Sequence, residues 1–446
     1  MTKAPAGLNI CGARVFYRGQ LREGCISISE GRIIFIGKEA HAPKAEEEVR
    51  AEGLLALPGP IDAHVHLRDE GLAYKEDFWT GTCAAVTGGI TSVLDMPNTV
   101  PPVDSAERLA ERARKAEERA VANVGFYCLF PAELSELPRV AEIGAVAIKA
   151  YLHKPLTRLD ISDEATLVKA VELANRVGLP VAFHAEDPRV IAEAAETVGG
   201  EGDPVSVFLT SHPPEAELKA VERLASLLAG RRVHICHVSV PGALKAAKRA
   251  GFTIEATPHH LFLTSDLYGR LGTLALVDPP LRPGDVVARL RQALYAGQID
   301  LVASDHAPHA LEEKLGPGPV PPGFPGLETL LPLLLNEVAE RRLSLAELVR
   351  LVCEGPARVF GLDRGRLEVG WPADLVLVDL KAELVVRPGD FRSKAKYSPF
   401  EGMRLRGRPV MTVVNGVVAF REGEVVAEPG CGTMLRPKRS PGGLRP

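Results

Sequence analysis

The chain has 446 residues, 46% hydrophobic and 25% charged, with a formal net charge of −4 at pH 7. That length supports one large core plus a smaller module, and the composition excludes disorder and fibres. So small a charge offers no handle to a polyanion or a membrane surface, and neither a nucleic-acid nor a membrane partner is expected. The seven cysteines, at 11, 25, 83, 128, 236, 353 and 431, include no CxxC pair and are expected to be small buried thiols of a reducing compartment. Met1-Thr2-Lys3-Ala4-Pro5 lacks a signal-type apolar core, and no run approaches the roughly 20 apolar residues of a membrane span. A cytoplasmic protein is therefore the expectation.

Residues 1–55 alternate apolar and polar positions around turn glycines, as in Cys25-Ile26-Ser27-Ile28-Ser29-Glu30-Gly31-Arg32-Ile33-Ile34, which predicts antiparallel hairpins. Over 56–362 the texture changes to short apolar runs alternating with amphipathic helical stretches. Strands are predicted at about 61–67, 90–96, 122–129, 145–152, 180–185, 232–238, 252–257 and 300–305, with helices at 105–120, 164–177, 215–229 and 285–297. Eight such βα units predict an α/β fold, a closed (β/α)8 TIM-type barrel, with a doubly wound open sheet as the alternative. The hairpin texture returns over 363–446, in Ala373–Val378 and Val410–Val418, so the two chain ends are expected to build one small β-sandwich module.

A barrel of this kind carries its chemistry at the C-terminal ends of its strands. His64 and His66 flank Val65, and two histidines one residue apart on a strand face the same way and can grip one metal ion. Further strand ends bring Asn98, Lys149, His184, His237 and Asp305, with His309 just beyond. Each alone has a plain structural explanation: a hydrogen-bonded core histidine, an ordinary amine, a helix N-cap. Their convergence at one end of successive strands argues for a metal centre, and four imidazoles with a carboxylate suit zinc or a similar borderline divalent ion. Such a centre can activate a water, and Asp305, which touches it, is the natural proton carrier, a general acid and base.

The segments Pro58-Gly59-Pro60-Ile61-Asp62-Ala63-His64-Val65-His66-Leu67-Arg68, Asp95-Met96-Pro97-Asn98-Thr99, Thr257-Pro258-His259-His260, Asp278-Pro279-Pro280-Leu281-Arg282 and Ser304-Asp305-His306-Ala307-Pro308-His309 resemble the amidohydrolase superfamily, and within it the dihydroorotases. The resemblance runs over nearly the whole chain, and the ordered set HVHLR, MPNT and SDHAPH is its most specific part. It implies zinc-dependent, reversible cyclisation of N-carbamoyl-L-aspartate to L-dihydroorotate in pyrimidine synthesis. By that resemblance His64, His66 and Asp305 hold one zinc, His184 and His237 a second, and a carboxylated Lys149 bridges the two. Ile148-Lys149-Ala150-Tyr151-Leu152 is similar to the lysine-bearing branch of animal pyrimidine-synthesis proteins and hydantoinases.

The substrate's exocyclic carboxylate needs a cationic clamp, for which the resemblance implies Arg68, with Asn98 and His309 as further donors. An ion-pair role for Arg68 is the alternative. Asp278 stands where the family pattern has an asparagine that contacts the ring, and an aspartate there adds negative charge near an anionic substrate. His259 and His260 are expected to be structural, and Pro-rich residues 316–326 a loop over the mouth. A homodimer and a complex with aspartate transcarbamoylase are both compatible with the resemblance. The rival readings are a hydantoinase, dihydropyrimidinase or allantoinase, which share the metals but take no such carboxylate, and a catalytically silent scaffold for the transcarbamoylase.

Overall fold

A computed structural model describes residues 6–154, 156–198 and 202–438. Eight parallel strands lie where the apolar runs predict them: Ile61–Val65, Ser92–Asp95, Asn123–Leu129, Ala147–Tyr151, Val181–His184, Val233–Ile235, Thr253–Ala256 and Leu301–Val302. Neighbours pair in sequence order from first to eighth. A parallel bridge between Val65 and His306, with His66 N donating to His306 O at 2.8 Å, returns the chain to the first strand and closes the barrel. The open sheet is thereby excluded. Asp62 reinforces the closure, since its buried Oδ1 accepts from Ser304 N (3.0 Å) and His64 N (3.3 Å) and so ties the first strand to the segment after the eighth.

The predicted helices form on amphipathic runs, two of them behind side-chain caps. Ser105 accepts from Arg108 N ahead of Ala106–Arg119, and Asp163 accepts from Thr166 N ahead of Glu164–Arg176. Pro214–Leu228 and Gly284–Tyr295 complete the predicted set. Among the described residues no helix is long and apolar enough to cross a membrane.

The chain ends share a separate nine-stranded sheet. Leu55–Pro58 pairs antiparallel with Leu375–Val385, and it is this pairing that joins the N-terminal strands to Arg404–Val414 and Val417–Arg421. Ile10, Ile26 and Ile33 from one end bury against Leu375, Leu377 and Met411 from the other, so neither end has a complete core alone. Asp374 fastens this module to the barrel by accepting from Asn123 Nδ2 (3.1 Å) and Asn415 N (2.7 Å).

The cysteines correct the expectation of seven free thiols. Cys11 and Cys25 face each other across paired strands and form a disulfide, whereas Cys83, Cys128, Cys236, Cys353 and Cys431 are free. Their separation of 14 residues gives no spacing signal, because the hairpin register alone makes them opposite.

Arg112 links scaffold to site. Its fully buried guanidinium binds Asp95 through Nε (2.8 Å) and Nη2 (2.7 Å), and Nη2 also donates to the carbonyl of Arg68 (3.1 Å). Arg112→Met leaves Asp95 charged and unpaired in the core, so a loss of about 3–5 kcal/mol is expected, read as a fall in the chemical-denaturation midpoint.

Candidate active site

A cavity of about 470 Å³ opens at the C-terminal ends of the barrel strands. His64, His66, Arg68, Asn98, His184 and His237 line it, together with Asp278, Asp305 and His309. Lys149, the tenth residue singled out in the sequence, is only 1% exposed and does not reach the cavity wall. Backbone strain concentrates here, since Arg68, His237 and Asp305 have φ of 55°, 34° and 49°, a region side chains adopt only when their surroundings enforce it.

The first-strand pair is aimed by its neighbours. His64 Nδ1 bonds Glu255 Oε1 at 2.7 Å and His66 Nδ1 bonds Asn98 Oδ1 at 2.7 Å. A neutral ring that donates from Nδ1 keeps its lone pair on Nε2. Those two Nε2 atoms lie 3.4 and 3.2 Å from Asp305 Oδ1, so three acceptors converge with no proton assigned between them. A divalent ion is the group that such a set fits. Burial, with Arg68 adding to it, holds the His66 imidazole well below its usual range, hence neutral and able to ligate. Burial pushes Asp305 up to about 6, against the pull of His64 and Lys149.

A second pair sits beside the first. The ring centroids of His184 and His237 are 4.6 Å apart, and those of His64 and His237 5.2 Å. His184 Nε2 bonds Glu186 Oε2 at 2.7 Å, and His237 Nδ1 is buried without a hydrogen-bond partner. Burial keeps both rings well below the usual range, helped by His153 for His184 and by His184 for His237. Lys149 Nζ donates to Cys236 Sγ at 3.0 Å and, among the described residues, forms no ion pair with a carboxylate. A bare ammonium opposes a cation here. As a carbamate, with two oxygen donors and a negative charge, the same side chain suits one.

Opposite the histidines lies the cationic wall. Arg68 is 6% exposed, its Nε donates to Pro308 O (3.3 Å), and among the described residues it has no acidic partner, which removes the ion-pair alternative. His309 Nδ1 lies 3.0 Å from Lys75 Nζ, and its Nε2 lies 3.2 Å from Arg68 Nη2 and 3.1 Å from Pro322 O. The 316–326 segment does cover the mouth: Gly323 N donates to Leu276 O (2.8 Å), and buried Lys314 donates to the carbonyls of Leu276, Pro321 and Gly323. Gly323 has φ of 132°, and a Cβ on it would lie 2.5 Å from Ala307 O, so only glycine lets the loop approach this closely. His260 is structural as expected, bonding Thr257 Oγ1 (2.8 Å) and Pro279 O (3.0 Å), and neither it nor His259 lines the cavity.

Asp278 is surrounded by His153, His184 and His212 with Lys154, at N···O separations of 3.3–3.9 Å, which explains how an aspartate is accommodated in this wall. Burial, reinforced by Asp278, pushes the neighbouring Glu186 carboxyl well above its usual range. Sequence reasoning missed His153, Glu186, His212 and Glu255. Glu255 had a signal, a carboxylate inside the apolar strand Thr253–Ala256, since a charge there requires a partner. It finds His64 and His234, which outweigh burial and hold it well below the usual carboxylate range.

The amidohydrolase family model matches residues 55–419. The chain is 39% identical to the dihydroorotase of Methanothermobacter thermautotrophicus over 90% of this chain and 92% of that one, and 35% identical to the dihydroorotase of Methanosarcina acetivorans over 96% and 95%. Its fold superposes on the L-hydantoinase (dihydropyrimidinase) of Arthrobacter aurescens with a TM-score of 0.90 at 31% identity, covering 97% of this chain and 100% of that one. With a family model spanning both the barrel and the paired strands at its flanks, the chain belongs to the amidohydrolase family.

Proposed function

We propose that this chain is a dihydroorotase, a cytoplasmic enzyme of pyrimidine synthesis that interconverts N-carbamoyl-L-aspartate and L-dihydroorotate. The observation that carries the reading is Arg68, a buried guanidinium on the cavity wall with no acidic partner among the described residues, two positions beyond His66. It matches the one group that dihydroorotate has and hydantoin or dihydrouracil lacks, an exocyclic carboxylate. The relatives named dihydroorotase, at 35–39% identity, support the same reading. The likeness to the L-hydantoinase structure supports the shared cyclic-amide chemistry and not the choice of substrate.

On this reading His64, His66 and Asp305 hold one zinc, and His184 and His237 a second, with Lys149 carboxylated between them. When bound, zinc supplies acidification of a water and polarisation of an amide carbonyl. Glu255 and Asn98 hold the His64 and His66 rings in the ligating tautomer. Arg68 and the Asn98 amide grip the substrate carboxylate and orient the ring, with His309 Nε2 set 3.2 Å from Arg68 Nη2 to position the guanidinium. Asp305 accepts the proton of the attacking water and passes it to the ring nitrogen as the carbon–nitrogen bond breaks. The new carboxylic acid then ionises, so ring opening releases one proton and ring closure takes one up.

Four outcomes test this. Purified zinc-loaded protein is expected to interconvert dihydroorotate and N-carbamoyl-aspartate while leaving hydantoin and dihydrouracil unopened, with the equilibrium ring fraction falling about tenfold relative to open chain per pH unit. Equal turnover of dihydrouracil would contradict the substrate, and Asp305→Ala is expected to lower kcat about 100- to 10,000-fold. Arg68→Met removes charge-assisted hydrogen bonds of about 1.5–3 kcal/mol, so KM for dihydroorotate should rise about 10- to 100-fold, read in steady-state kinetics. Glu255→Gln replaces the charged acceptor behind the His64 ring with a neutral one, and zinc affinity, read by chelator competition, is expected to fall about 10- to 100-fold.

A further inference from the structure

A second cluster of ligating side chains lies against the outer side of His184 and belongs to no role assigned above. His153, Glu186, His212 and Asp278 each offer one donor atom, and the four atoms lie within 4.8 Å of one another. His153 Nε2 is 3.3 Å from Asp278 Oδ2, and His212 Nε2 is 3.9 Å from Asp278 Oδ1. The residues come from four places in the fold: the end of the fourth strand, the loop after the fifth, and the turns ahead of Pro214–Leu228 and after Ala275.

The donors are unsatisfied although largely buried, with His153 and Asp278, the latter 13% exposed, on the cavity wall. The side chains of Glu186, His153 and His212 are 0%, 4% and 9% exposed. Both ring nitrogens of His153, His212 Nε2, Glu186 Oε1 and Asp278 Oδ1 are buried without a hydrogen-bond partner. His212 Nδ1 is committed to Ser211 Oγ (3.0 Å) and Phe208 O (3.1 Å); since the carbonyl only accepts, Nδ1 carries the proton and Nε2 presents a lone pair to Asp278. Glu186 Oε2 is likewise committed to His184, leaving Oε1 facing the cluster. Orphaned groups of this kind in a native interior each cost about 1–3 kcal/mol. A proton shared between the two carboxylates would satisfy only that pair and leave the lone pair of His212 Nε2 facing Asp278.

One occupant satisfies all four. A tetrahedral ion with bonds of about 2.0–2.1 Å sets its donors about 3.4 Å apart, against 3.3 Å from His153 Nε2 to Asp278 Oδ2 and 3.9 Å from His212 Nε2 to Asp278 Oδ1 with no ion drawing them in. Two imidazoles and two carboxylates suit zinc or a similar borderline ion. We propose that His153, Glu186, His212 and Asp278 form a divalent-cation site of their own, distinct from the pair of sites assigned to His64, His66, Asp305, His184 and His237. Lys154, whose side chain is 59% exposed and whose Nζ lies 3.7 Å from Asp278 Oδ2, gives way to solvent when the cation binds. The bound cation neutralises Asp278, so the aspartate that stands in place of the family's asparagine ceases to repel an anionic substrate.

The test counts metal and not turnover, so its failure leaves the reading of function untouched. Protein stripped by chelator is titrated with zinc chloride, and zinc per chain is measured by plasma mass spectrometry after equilibrium dialysis, for the wild type, His153→Asn and His212→Asn. Circular dichroism melts identify the folded variants, and either one alone decides. The expected result is one zinc fewer per chain in each folded variant. An unchanged count and affinity overturns the proposal. Loss of more than one ion also overturns it, by making the cluster part of the neighbouring centre.

Discussion

Three acceptors sealed at a barrel mouth repel one another unless a cation lies among them. His64 Nε2 and His66 Nε2 each come within 3.4 Å of Asp305 Oδ1 because Glu255 and Asn98 have taken the other nitrogen of each ring. Neither imidazole can turn away without giving up its 2.7 Å bond to Glu255 or Asn98, and Glu255 is wholly buried. The arrangement is therefore imposed by the interior on the mouth, and a metal ion relieves what the interior imposes.

The same barrel explains why this tension persists. Asp62 ties the first strand to the segment that carries Asp305, and Arg112 ties Asp95 to the backbone of Arg68. Each contact joins a ligand-bearing or substrate-facing segment to the closed sheet, so the positive φ of Arg68 and Asp305 is held by packing and hydrogen bonds on both sides. The β module contributes from the other end of the barrel, where Asp374 and Asn123 lock the paired chain ends to the third strand.

Much of this was legible in residue order. The apolar runs at the eight strand positions are long enough to be read one by one, because parallel barrel strands are buried on both faces and carry no competing polar alternation. His64 and His66 declare themselves by sharing a strand face, and Asp305 by its place at the last strand end. The cluster of His153, Glu186, His212 and Asp278 was not legible, since each is an isolated polar residue in a loop or turn and only the closed barrel brings them to within 4.8 Å. Lys149 was placed at the right strand end, but its burial below the cavity and its bond to Cys236 follow from packing of adjacent strands that no spacing encodes. The disulfide escaped for a similar reason: a hairpin register, and not a cysteine pattern, opposes Cys11 to Cys25.

Anomalous diffraction at the zinc absorption edge from crystals of the zinc-loaded protein tests the central claim most directly. The account predicts one peak within bonding reach of His64, His66 and Asp305 and another within reach of His184 and His237. A map with no peak beside His64 and His66, and with ordinary water among them, would contradict it.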